Sequence, residues 1–177
     1  LDRQRASFTA ELPVTAAVRK DRLQRALKLV LEHKDGFVKA LSDDFGHRST
    51  EMSLVTDIMA SVKPLKHSLK HLDAWMRPER RKLDFPLGLL GAKAEVQWQP
   101  KGVVGIISPW NFPLMMATWK IAPAIAWGNT CIIKPSEDTP ASVTLLGRLA
   151  VEAGFPPGVL NVLNGHGAPA GSTLTAD

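Results

Sequence analysis

The chain has 177 residues, 45% hydrophobic and 22% charged, a balance that supports a buried core and argues against disorder. Its net charge of +5 is uneven: residues 1–100 hold 18 Lys and Arg against 13 Asp and Glu, and residues 101–177 hold four of each. The positive residues alternate with acids, which speaks against nucleic acid as a partner, and no apolar run has the length of a membrane span.

Residues 1–10 are polar and carry no signal-peptide pattern. Leu1 stands where a natural start has Met, so the start is expected to be trimmed. From Val14 to Leu41, apolar residues recur at Val18, Leu23, Leu27, Val30 and Leu31, the 3.6-residue period of an amphipathic helix. A similar stripe runs through Met52, Val55, Met59, Val62, Leu65, Leu69, Leu72 and Met76, and Pro64 predicts a kink or break in it. The segment DDFG, Asp43 to Gly46, separates the two helical stretches. His67 and His71 have i, i+4 spacing but no third ligand, so no metal site is expected and a solvated helix face is. The basic cluster RPERRK, Arg77 to Lys82, lacks interleaved aromatics and is expected to be a solvated loop.

Residues Asp84 to Gly91 are rich in Pro, Gly and Leu and form a linker or arm. In AEVQWQ, Ala94 to Gln99, Val96 and Trp98 alternate with polar neighbours, as in a half-buried strand. After Pro100 the pattern changes to strand, helix, strand, helix, strand. Val103–Ile107, Cys131–Lys134 and Val159–Leu163 are short β-branched runs. Pro113 to Trp127 has the length of a buried helix that Pro123 bends. A second helix has Thr139 as its expected N-cap, Pro140 at its first position and Gly154 and Pro156 as stop signals. Gly165, Gly167 and Gly171 open a further helix. The chain is therefore read as α/β: an N-terminal helical region over 1–83, a strand arm over 84–99, and part of a Rossmann-like parallel sheet over 100–177. A sheet broken off in this way is expected to expose an edge strand and apolar helix faces.

Ligands bind such sheets beyond the carboxyl ends of the strands, and three motifs fall there: Ser108 to Phe112, Lys134 to Glu137, and Asn164 to Gly171. Asn111 sits between Trp110 and Phe112. Its amide either donates to a developing oxyanion from an apolar surround or caps the next helix, where Pro113 fits the first turn. Lys134 and Glu137 pair a donor with an acceptor, suited to sugar hydroxyls, although surface loops contain the same residues. The glycine spacing G-x-G-x-x-x-G is not the dinucleotide fingerprint; it is either a phosphate-holding helix start or a plain turn. Cys131, the single cysteine, lies in an apolar strand and is read as buried and inert. Together with the absence of a disulfide framework, it points to a reducing, cytoplasmic setting. His33, His47 and His166 are isolated, and no serine triad is present.

The segment PKGVVGIISPWNFPLMMATWKIAPAIAWGNTCIIKPSEDTP…EAGFPPGVLNVLNGHG, Pro100 to Gly167, resembles the aldehyde dehydrogenase superfamily nearly throughout. ISPWNFPL and IIKPSEDTP are most similar to its coniferyl-aldehyde dehydrogenase branch. The resemblance implies an aldehyde substrate oxidised to a carboxylic acid, with NAD as cofactor. Asn111 would stabilise the oxyanion of the thiohemiacetal, and backbone at Ser108, Pro109 and Trp110 would line the nicotinamide side. Lys134 and Glu137 would bind the adenosine ribose, with Ser136 between them among the cofactor positions, and Gly167 and Gly171 would lie beneath adenosine and pyrophosphate. An acid at the ribose favours NAD over NADP, though some members accept both.

The family nucleophile Cys, the Glu that activates water and a second glycine motif, F-T-G-S, fall downstream of Asp177. These residues are therefore expected to be an N-terminal portion, inactive alone; the alternative is a truncated nucleotide-binding or interaction module. The arm LDFPLGLLGAKAEVQWQ resembles the family's oligomerisation segment, implying a homo-oligomer in the full-length enzyme. Trp119, Met115 and Met116 either line an apolar substrate wall or belong to the helix core.

Overall fold

The computed structural model describes residues 1–176; Asp177, the last residue of the third expected region, lies outside the described residues. Helices α1 (Asp2–Ala10), α2 (Ala16–Glu32), α3 (Lys34–Phe45) and α4 (Thr50–Ser53) lead into a π-helical segment, Leu54–Met59, and then α5 (Ala60–Trp75). Strands β1 (Glu79–Arg81) and β2 (Ala94–Val96) follow. Then come β3 (Val103–Ile107), α6 (Pro113–Ala126), β4 (Thr130–Lys134), α7 (Ala141–Glu152) and β5 (Leu160–Val162). A second π segment, Gly167–Gly171, passes into α8 (Ser172–Ala176).

β3, β4 and β5 form a parallel sheet in that order, with Ile107 opposite Lys134 and Ile133 opposite Val162. The register follows from the β-branched runs, and α6 and α7 serve as the crossovers that parallel pairing requires. All five residues of β4 are buried, whereas β3 at the sheet edge leaves Ile107 47% exposed. One hydrophobic cluster runs from Leu23 and Val30 of α2 through Leu65 and Leu72 of α5 to Leu114 and Ile125 of α6. It continues to Ile133 of β4 and Val143 of α7. α2 and α5 pack together and on α6, and α3 packs on α7.

The single helix expected over Val14–Leu41 is two. His33 adopts φ −106° and ψ 22°, which interrupts the helical ladder and allows α3 to leave α2 for α7. Val18 and Leu31, assigned to the apolar stripe, are exposed, and Arg19 and Arg22 take buried places. Arg19 is accommodated because its Nε donates to the Val14 carbonyl at 2.9 Å, and Arg22 because its Nη2 meets Glu11 at 2.6 Å.

Pro64 does not break α5. Proline lacks the N–H that would bond the Ala60 carbonyl one turn back. That carbonyl accepts instead from the Trp119 indole Nε1 at 3.1 Å, so the backbone acceptor is satisfied and the helix continues. Trp119 is thereby a half-exposed surface bridge rather than helix core. The irregularity lies upstream, in the π segment, where each turn holds an extra residue. The widened turn buries Asp57 and Ile58 and leaves Met52, Val55 and Met59 exposed, contrary to the expected stripe.

Two more local expectations are corrected. Thr139 does not cap α7: its hydroxyl donates to the Trp110 carbonyl at 3.3 Å, and the first free amide, Ala141, is accepted at 2.9 Å by Asp44 from α3. The RPERRK segment is not purely loop, because Glu79–Arg81 pair antiparallel with Ala94–Val96, shortening the expected strand. Trp98, beyond that strand, is half exposed; it donates to Glu79 at 3.2 Å and meets Trp127 edge-on at 6.4 Å. Trp127 also stacks on Trp75 at 6.2 Å, 12° from parallel, and the His67 and His71 rings continue this ladder, so that helix face is not simply solvated.

Candidate functional site

The carboxyl ends of β3, β4 and β5 lie side by side, and the three motifs fall on the loops that leave them. Ser108 is buried just past β3; its N–H donates to the Lys134 carbonyl at 3.0 Å, extending the ladder by one bond. Its hydroxyl is buried without a hydrogen-bond partner among the described residues. Pro109 is half-buried and Trp110 is exposed.

Asn111 is exposed, and its side-chain amide makes no hydrogen bond among the described residues. It is therefore not held in an apolar surround, and it is not the cap of α6. The N-cap position is Phe112, and the amides of Leu114 and Met115 donate to Asp57 Oδ1 at 3.1 and 3.2 Å. Asp57 is fully buried, and burial pushes its carboxyl up against the opposing pull of those amides, Arg48 and Thr56. Arg48 pairs with Asp57 at 2.9 Å and donates to the Asn111 carbonyl at 3.1 Å. Neither Arg48 nor Asp57 was visible as a site residue in the sequence. The usable signal was an acid at a core-facing position inside the apolar stretch LVTDIMA.

Lys134 ends β4 with its side chain almost fully buried. Its ammonium donates to Glu137 Oε2 and to the Pro135 carbonyl, both at 3.0 Å. An ammonium has three N–H donors, so one is left for a ligand. Glu137 Oε1 accepts from the Gly167 amide at 3.0 Å, and His166 Nδ1 stands 3.8 Å away. The Glu137 carboxyl is drawn down to about 2 by its own backbone N–H, then Lys134 and the Gly167 amide. Gly171 is buried against the Lys134 stem, where a Cβ would stand 3.6 Å from Cδ. Ser136 is half-buried and bonds locally to Asp138.

Beside this cluster opens a cleft of about 570 Å³ lined by Ser136, Glu137, Thr144, Arg148, Asn164 and His166. Its size matches a small-molecule site, and the Glu137 carboxylate in its lining is an acceptor suited to sugar hydroxyls, with the buried Lys134 ammonium bonded behind it. The residues thus fit a ribose-bearing group. The sequence motifs did not include Thr144, which pairs with Asn164 at 3.0 Å. Cys131 is fully buried, and burial pushes its thiol up to about 12, so it is no nucleophile. Among the described residues no cluster of His, Cys, Asp or Glu would hold a metal, and no helix is long and apolar enough to cross a membrane.

Residues 4–177 match the aldehyde dehydrogenase family. A probable coniferyl aldehyde dehydrogenase of Caulobacter vibrioides is 47% identical over 154 residues, 86% of this chain and 32% of the relative. The coniferyl aldehyde dehydrogenase of a Pseudomonas species is 44% identical over 149 residues, 84% of this chain and 30% of the relative. A solved indole-3-acetaldehyde dehydrogenase in complex with NAD+ superposes with a TM-score of 0.88 at 32% identity, over 99% of this chain and 34% of that one. The chain spans about a third of the length of the curated relatives it matches.

Proposed function

The chain belongs to the aldehyde dehydrogenase family, and from that premise we propose that it is the N-terminal portion of an NAD-dependent enzyme oxidising an aldehyde to its carboxylic acid. The observation that carries the reading is Glu137, which lines the cleft beyond β4 and is held there by the buried Lys134 ammonium and the Gly167 amide. NAD, when bound, supplies the acceptor for the hydride that leaves the aldehyde carbon.

The roles of this chain's residues follow. Glu137 and the free N–H of Lys134 take the ribose hydroxyls, with Ser136 between them, and the carboxylate disfavours a 2′-phosphate and hence NADP. Gly167 and Gly171 let the backbone lie close beneath the nucleotide. Ser108, Pro109 and Trp110 line the nicotinamide side. The Asn111 amide, with both N–H donors free, donates to the oxyanion of the adduct at the aldehyde carbon. The nucleophile comes from elsewhere in the full-length enzyme, since Cys131 is buried and protonated, and the water-activating acid is assigned there with it. Coniferyl or a related aromatic aldehyde is the proposed substrate, supported by the names of the two relatives.

Residues 1–83, 84–99 and 100–177 are proposed as helical region, oligomerisation arm and partial cofactor domain of a cytoplasmic homo-oligomer. The arm's exposed Phe85, Leu89 and Leu90 support that assignment.

Steady-state kinetics of Asn111→Ala in the full-length enzyme tests the chemical role. Turnover is expected to fall by about 10²–10³, the effect of one oxyanion donor, with NAD affinity retained; near-normal turnover overturns the role.

A further inference from the structure

We propose that Arg48 and Asp57 are a pair of positioning residues that hold the Asn111 turn from both sides and so set the aim of its amide, an inference that rests on the oxyanion reading of Asn111. The Asn111 amide is exposed and unbonded, so its direction depends on its backbone. Arg48 Nη1 holds the carbonyl of Asn111 at 3.1 Å. Asp57 Oδ1 holds the amides three and four residues later, Leu114 and Met115. The two groups join each other at 2.9 Å, which closes a loop of charge-assisted bonds around the turn.

The rest of the surroundings immobilises this pair. Thr56 accepts from Arg48 at 2.8 Å and lies 3.1 Å from Asp57 Oδ2, so both carboxylate oxygens are engaged. The guanidinium lies 4.7 Å from the Phe45 ring and 5.3 Å from that of Phe112, the residue after Asn111. The π segment brings Asp57 inward, and such widened turns occur often at functional sites.

Stability alone is a poor account of the arrangement. A Ser or Asn at the N-cap would satisfy the start of α6 locally, whereas a buried ion pair carries a desolvation cost that often cancels its attraction. What the pair adds beyond a cap is a grip on Asn111 itself.

The test is kinetics of the full-length enzyme with Arg48→Met, Asp57→Asn, Asn111→Ala and the double variant Arg48→Met/Asn111→Ala, each normalised to folded protein. Arg48→Met retains an unbranched apolar stem while removing the guanidinium, and is expected to lower kcat by roughly tenfold to a hundredfold, the scale for a misplaced group. KM for aldehyde and NAD should not change, and the double variant should be no slower than Asn111→Ala. Arg48→Lys should restore part of the loss. If Asp57→Asn does not fold, Arg48→Met decides. A slow Asn111→Ala with Arg48→Met at the parental kcat, or losses that multiply in the double variant, would overturn the positioning role alone. A fast Asn111→Ala would remove the oxyanion reading and the pair's role with it.

Discussion

Glu137 accepts the backbone N–H of Gly167 at 3.0 Å, a bond that ties the loop after β4 to the start of the second π segment thirty positions later. The carboxylate that we assign to the ribose is therefore also a structural clasp, and its ionisation matters to both roles. Its folded-state value of about 2 lies below the ordinary 4.5. A depressed carboxyl contributes stability that is fully present above the unfolded value and lost as pH falls through the folded one. The carboxyl stays ionised as pH falls past the ordinary 4.5, so NAD affinity is expected to stay level from neutral pH through that value. Glu137→Gln should weaken it several-fold throughout that range. Calorimetric titration at several pH values checks this; a midpoint near the ordinary carboxyl value would show that the clasp is absent.

Cys131 should be dispensable for chemistry. Its thiol is inaccessible and held protonated, so Cys131→Ala is expected to leave kcat of the full-length enzyme unchanged. The lost group should cost about 1 kcal/mol of stability, near the value of one buried methylene. A large drop in kcat with stability retained would contradict this.

Gly128 ends α6 with φ +78°, and a Cβ there would lie 2.9 Å from the Arg19 guanidinium. That guanidinium cannot swing away freely, because it is buried and bonded to the Val14 and Ala126 carbonyls. Gly128→Ala should therefore combine left-handed strain with displacement of Arg19, lowering unfolding free energy by roughly 1–3 kcal/mol. Denaturant unfolding monitored by circular dichroism gives the value, and an unchanged midpoint would refute the steric account.

The sheet and its crossovers were legible because the apolar runs VVGII and CIIK stop at Ser108-Pro109 and Lys134-Pro135, and Gly154 marks the helix stop directly. Lys134, Glu137, Gly167 and Gly171 were legible together because they leave adjacent parallel strands. Periodicity failed at Met52, Val55 and Met59, since a π turn shifts the buried face without altering the composition. It also could not anticipate caps supplied from afar: Asp44 serves α7 and Asp57 serves α6, each from a helix distant in the chain. A sequence shows local caps such as Thr139, and tertiary contacts decided otherwise.

The stacked Trp75 and Trp127, with Trp98 edge-on to the latter, join the end of α5, the end of α6 and the segment after β2. Indoles this close couple their electronic transitions, and tyrosine contributes nothing because these residues contain none. The strong far-ultraviolet transition of these indoles should carry an exciton couplet in circular dichroism, and Trp98→Phe should alter that couplet and the near-ultraviolet bands together. The molecule thus has a built-in optical gauge of whether the segment after β2 is seated.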